Sequence, residues 1–171
     1  MKFYPFHIFF SSALLCLFGC QQKNSNNSEN QLTKNSVPTR SAFSCDERIW
    51  DHVYNPGRLK IIDTCKIVTG VIVESNADDD GDQHMLLKLD PKQNNLLTQM
   101  NMSRKQGNLV IEAICVNSIS KKKVGNSCEG YINSIELPKL GSHVSVTGSY
   151  VIDTHNGWAE IHPISKIETI K

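Results

Sequence analysis

Residues 138–168 read PKLGSHVSVTGSYVIDTHNGWAEIHPISKIE, and this stretch decides the fold. Two runs in which apolar and polar residues alternate, 143–153 and 158–168, flank Asn156-Gly157, a pair that accepts the positive φ angles of a tight hairpin turn. Outward from this hairpin the same period of two recurs at 59–75, 83–90 and 108–115. Five strands and a mainly β fold are therefore expected. Ala77 to Asp82 is an acidic turn containing Gly81, and 116–142 is a long connection ahead of the fourth strand.

Gly70 falls inside the first strand, and Pro138, Gly141, Val144, Val146 and Gly148 form a Pro-x-x-Gly-x-x-Val-x-Val-x-Gly run. Glycines within strands permit the sharp coiling that closes a small sheet. In these features the chain resembles an OB-fold, a five-stranded Greek-key barrel. A β-sandwich is the alternative, for which five strands are few. Val68-Thr69-Gly70-Val71, Asp80 to His84, Glu112 to Cys115 and Asp153 to Pro163 are similar to a family of exported bacterial OB-type domains. The similarity covers roughly residues 59–168 and implies a fold and no activity.

Ahead of the strands, Ser44-Cys45-Asp46-Glu47 has capping-box spacing, which predicts a short N-terminal helix. Ile49, Trp50, Val53 and Tyr54 give it one apolar stripe, Asn55-Pro56-Gly57 ends it, and Trp50 reads as a packing anchor.

The composition of the 171 residues, 39% hydrophobic and 20% charged, excludes a collagen, a coiled coil and a wholly disordered chain. The net charge of +1 gives no broad positive field, which argues against a polyphosphate binder held by electrostatics. Lys2 precedes an apolar run ending at Leu17-Phe18-Gly19-Cys20, which resembles the lipobox of a bacterial lipoprotein. The resemblance implies cleavage before Cys20 and its acylation, palmitate included. A single membrane span is the competing reading, but spanning takes about 20 apolar residues and the run is shorter. Gln21 after the cysteine implies the outer membrane rather than the inner, facing the periplasm. The domains read as signal peptide 1–19, lipidated cysteine and tether 20–44, and OB-fold-like domain 45–171. The tether is rich in Gln, Asn, Ser, Lys and Thr, a composition that cannot bury enough surface to order itself. As a coil it spans roughly 25 Å.

Cys16 and Cys20 belong to the signal region, leaving Cys45, Cys65, Cys115 and Cys128 in an exported domain. In an oxidising compartment these read as two disulfides. Pairing 45 with 65 and 115 with 128 is preferred because each closes a local loop. Zinc is the competing reading, but no Cys-x-x-Cys is present.

In OB-folds the connections between strands 1 and 2 and strands 4 and 5 flank the ligand face. Here they carry Asp78, Asp79, Asp80 and Asp82, and Asp153, His155 and Asn156. Trp158, Glu160 and His162 alternate against Ala159 and Ile161, and His84 opposes Met85, Leu87 and Leu89, so all four are expected outside the barrel interior. The expected arrangement is a structural polar network: Glu160 and His162 on the outer face of the last strand, Asp153 and His155 shaping the turn, and no cofactor. A divalent cation among Asp82, His84, Asp153, His155, Glu160 and His162 is the alternative. Trp158 suits packing or a stacking platform equally. Asn76 to Asp82 mimics the start of an EF-hand loop, but Leu87 stands at the twelfth position, which requires a glutamate. Lys121-Lys122-Lys123, the one basic run, reads as a solvated loop tip.

No Gly-x-Ser-x-Gly, P-loop or nucleophilic cysteine is present, so acyl-transfer, nucleotide-hydrolysing and thiol enzymes have no support. The expected function is a non-catalytic, lipid-anchored envelope module. Its partners are the membrane, through the lipid, and another envelope protein or component. A metal-dependent hydrolase of phosphodiesters or glycans is the competing class. An oligonucleotide binder rests on fold analogy alone, and four carboxylates at the mouth of the face oppose it.

Overall fold

In a computed structural model the described residues are 45–120 and 127–171. They lie within the second of two units into which the chain divides, Arg40–Lys171. The signal peptide, the lipid site, the whole tether with Ser44, and the Lys121–Lys123 run lie outside the described residues. Among those described, no helix is long and apolar enough to cross a membrane.

The five strands are β1 (Leu59–Ala77), β2 (Gln83–Leu89), β3 (Leu109–Ala113), β4 (His143–Asp153) and β5 (Ala159–Thr169). They form one mixed sheet that closes on itself in the order β1-β2-β3-β5-β4. The 19 residues of β1 close the ring by pairing with both neighbours. Its first part faces β4, with Leu59 opposite Asp153, and its last part faces β2, with Ala77 opposite Gln83. All pairings are antiparallel except β3 with β5, where Ile111 lies beside Ile161.

Gly70 and Gly148 have the close approaches that strand-internal glycines allow. A Cβ at Gly70 would overlap the Lys88 carbonyl, and one at Gly148 would overlap the Pro163 carbonyl and Ile161. The β4–β5 register shifts at Gly148, where the sheet bends. Inside the ring, Val68, Ile72, Met85, Leu87, Leu109, Ile111, Val146, Ile161 and Ile164 form the main core. The expected core face of β2 is therefore the observed one.

A second apolar cluster lies outside the ring. Ile49 and Val53 meet Leu59, Ile114, Cys115 and Val151, with Trp50, Cys128 and Tyr131 against them. The short N-terminal helix expected here is a 3₁₀ turn, Glu47–His52. Its cap is Asp46, whose Oδ1 accepts from the Arg48 N–H at 3.1 Å, so the Ser44 capping box is corrected. Trp50 is an anchor, its Nε1 donating to Ser149 Oγ at 3.1 Å. Both disulfides pair as expected, Cys45 with Cys65 and Cys115 with Cys128, at Cα separations of 5.4 and 5.5 Å. They fasten this outer layer to β1 and to the end of β3.

Sequence periodicity missed two elements between β2 and β3: a 3₁₀ turn, Pro91–Leu96, and a short helix, α1 (Gln99–Arg104). Thr98 and Asn101 form a reciprocal capping box at the start of α1. Asn101 is fully buried and does more than cap. Its Nδ2 donates to the carbonyls of Asn108 and Ala159, and its Oδ1 accepts from the Ala159 N–H at 2.8 Å. The helix is thereby pinned to the first residue of β5.

Candidate functional site

Three neighbouring strands place their outward-facing side chains on one patch. Antiparallel pairing sets His84 opposite Glu112, and the parallel β3–β5 pairing brings Glu112 beside His162. Asp82 precedes His84 by two residues and shares its face. Its Oδ1 accepts from the Cys115 N–H at 2.9 Å. The patch is outside the ring, as expected, and most of it is nonetheless buried. Asp82, Glu112, Glu160 and His162 are only 4, 6, 1 and 2% exposed. The 3₁₀ turn touches β5, and the second apolar cluster covers the adjoining part of β3.

His162 Nδ1 lies 2.8 Å from Glu112 Oε2 and 3.2 Å from Glu160 Oε2. Burial by itself disfavours the imidazolium, but the charge and hydrogen bond of Glu112, with Glu160, outweigh it and raise the ring well above its ordinary value of 6.5. Burial likewise pushes the Glu112 carboxyl up, and His162, with His84 and Arg58 adding charge, holds it below the usual range. Among the described residues Asp82 makes no direct ion pair of this kind, although the charge of His162 favours its ionised form. Burial lifts it to about 7, against the Cys115 N–H that favours its charged form, with Asp80 and Glu112 adding repulsion.

Beside the buried group is an open pocket of about 390 Å³. The end of β1 supplies Glu74 and Asn76, the turn after it Asp78, β2 supplies His84, and Asn156, Trp158 and Glu160 come from the β4–β5 hairpin. Lys105, just past α1, sits 4.0 Å above the Trp158 ring and 3.2 Å from His84 Nε2. The Trp158 indole N–H donates to Glu160 Oε1. Glu112 and Glu160 line the pocket as well as the buried group, so the two are continuous.

Asp153 and His155 stand apart from this cluster. Asp153 is fully buried in the hairpin turn, where its Oδ1 accepts from the N–H groups of His155 and Asn156 at 2.8 and 3.1 Å. Its Oδ2 lies 3.4 Å from Arg58 Nε. His155 is exposed, beside Asn55, Gly57 and Arg58. Among the described residues, no group of three ligating side chains includes Asp153, His155, His84 or Glu160. The six-residue metal set that the sequence offered as the alternative is therefore not assembled at one point. The group that is assembled is Asp82, Glu112 and His162, with ligand atoms within 4.8 Å of one another.

Glu112, Lys105 and Arg58 were not singled out from sequence as site residues. For Glu112 a signal existed: it is the one acid within Leu109-Val110-Ile111-Glu112-Ala113-Ile114, and every residue of β3 is buried. A lone carboxylate in such a run calls for a partner. Asp78 and Asp79 are exposed in the acidic turn, while Asp80 Oδ1 faces the Asp82 N–H at 3.4 Å. No protein-family model, curated protein sequence or solved structure matches the chain.

Proposed function

We propose that this chain is a lipid-anchored binding module of the bacterial envelope, held through Cys20 at the periplasmic face of the outer membrane, which takes a polar envelope component in the Trp158 pocket without turning it over. The observation that carries the reading is the pocket's make-up. A tryptophan ring capped by Lys105 and bounded by carboxylates and amides offers an apolar wall together with directed hydrogen bonds, the combination suited to a sugar or other polar ring. Its position between the β1–β2 and β4–β5 connections supports the same reading, since that is where OB-type domains hold ligands. The lipobox resemblance supplies the anchor, and the two disulfides fit an oxidising compartment.

The test uses full-length protein in detergent with Trp50→Phe, which leaves Trp158 as the sole tryptophan. Soluble fragments of muramidase-digested peptidoglycan and envelope oligosaccharides should change its fluorescence saturably, and chromatography should recover them uncut. Asn156→Ala should weaken the response. No saturable change with either probe overturns the ligand class, and cleavage of a fragment favours the hydrolase. Separately, Cys20→Ser should abolish lipid labelling and leave uncut precursor; a variant that matures and stays in the membrane overturns the anchor.

A further inference from the structure

We infer that Asp82, Glu112 and His162 form a site for one divalent cation, set behind the Trp158 pocket and distinct from the ligand contacts on the tryptophan. Three separate observations meet there. The first is geometry: the three ligand atoms lie within 4.8 Å of one another. Bonds of about 2.0–2.2 Å draw such atoms together with sub-ångström movements. The second is charge: the carboxylates of Asp82, Glu112 and Glu160 are buried around a single imidazole. One imidazolium offsets only one of the three carboxylates, and burying the others is costly unless a further positive charge, such as a divalent cation, accompanies them. The third is orientation. His162 Nδ1 is the ring nitrogen that faces Glu112 and Glu160, at 2.8 and 3.2 Å, so it is the one that would share an ion with a carboxylate. Nε2, buried and without a hydrogen-bond partner, is left to carry the ring proton.

The donor set selects the ion. One imidazole with carboxylate oxygens suits Zn²⁺ or Mn²⁺. Cys115 and Cys128 lie close to Asp82, but their sulfurs are joined to each other and offer no thiolate. Glu112 and Glu160 also border the pocket, which gives the ion a way in from solvent. The cation would sit on the outer face of β2, β3 and β5, away from Asp153 and His155.

The experiment strips full-length protein in detergent with a chelator, dialyses it against Zn²⁺ or Mn²⁺, and counts retained metal by mass spectrometry. One ion per chain is expected, with affinity at least about tenfold weaker in Asp82→Asn and Glu112→Gln. Near-ultraviolet circular dichroism verifies that each variant is folded. A measurement free of variants accompanies it: paramagnetic Mn²⁺ should broaden the amide resonances of residues 82, 112 and 162 before those of 153 and 155. Retention well below one ion per chain, undiminished retention in folded Asp82→Asn, or broadening centred elsewhere overturns the site. Fluorescence titration of the metal-free protein with glycan fragments is independent of these outcomes, so failure of the cation site and failure of the pocket reading are distinguishable.

Discussion

The two faces of β3 carry residues only one position apart in sequence and obey opposite rules. Inward, Leu109, Ile111 and Ala113 join the apolar core. Outward, Glu112 is also buried, but it borders the open pocket and has His84 and His162 as its ion-pair partners. The inward face is stabilised by area removed from water and by close packing. The outward face gains little net stability from its ion pairs, because desolvation opposes attraction. A fold can do without buried charge on its outer layer. Its presence beside an open pocket is the physical basis for the proposal that this face binds.

Breaking each face in turn gives the largest effects. Glu112→Ala removes the nearer carboxylate of His162, leaving Glu160 at 3.2 Å, and should cost about 4 kcal/mol in denaturant unfolding, since breaking a buried pair on one side is strongly destabilising. A cost under about 1 kcal/mol would show that the pair is not buried as described. Ile111→Ala, the inward neighbour, should cost about 3 kcal/mol by leaving a cavity in the core, with no change in metal retention. If the inward variant lost the cation while remaining folded, the separation of the faces would fail. Cys115→Ser with Cys128→Ser should cost about 2.5 kcal/mol by freeing a 13-residue loop. Melts of the reduced and oxidised forms check this.

A smaller effect sharpens the comparison through pH, in protein kept metal-free. A carboxyl raised in the folded state binds an extra proton between its two pKa values, so Asp82 removes stability as pH rises from 3.8 to about 7. His162, raised, stabilises fully below 6.5 and loses that contribution as pH climbs through its folded value. Glu112, lowered, stabilises above 4.5 and loses its contribution in stronger acid. Melting temperature should therefore peak in the mildly acidic range between the Glu112 and His162 limits. Glu112→Leu with His162→Phe and Asp82→Asn should flatten the profile. A wild-type maximum above pH 8 would contradict these assignments.

Much of the fold was legible because period-two patterning is a local property. The expected strands 59–75, 83–90, 108–115, 143–153 and 158–168 differ from the observed ones by two residues at most. The disulfide pairing was legible from loop size. The helix at Gln99–Arg104 was not, because its role rests on Asn101 bonding to Ala159, 58 residues away. The site was half legible. Alternation placed His84, Trp158, Glu160 and His162 outside the ring, but burial of Glu160 and His162 depends on outer layers packed over them. Glu112 joins His162 only through a parallel pairing between strands distant in sequence. Asp153 and His155 are next to the cluster in sequence and separate from it in space, because the hairpin turn consumes the Asp153 carboxylate in its own backbone hydrogen bonds.

The most direct measurement of whether the outward face serves binding rather than stability replaces its charges without leaving any of them stranded. Glu112→Leu and His162→Phe remove the ion pair, Glu160→Gln keeps an acceptor for Trp158, and Asp82→Asn keeps one for the Cys115 N–H. Calorimetry of the metal-free quadruple variant beside metal-free wild type should give an equal or higher melting temperature at pH 7, with metal retention abolished. A fall as large as that of Ile111→Ala would contradict the account and make the cluster part of the scaffold.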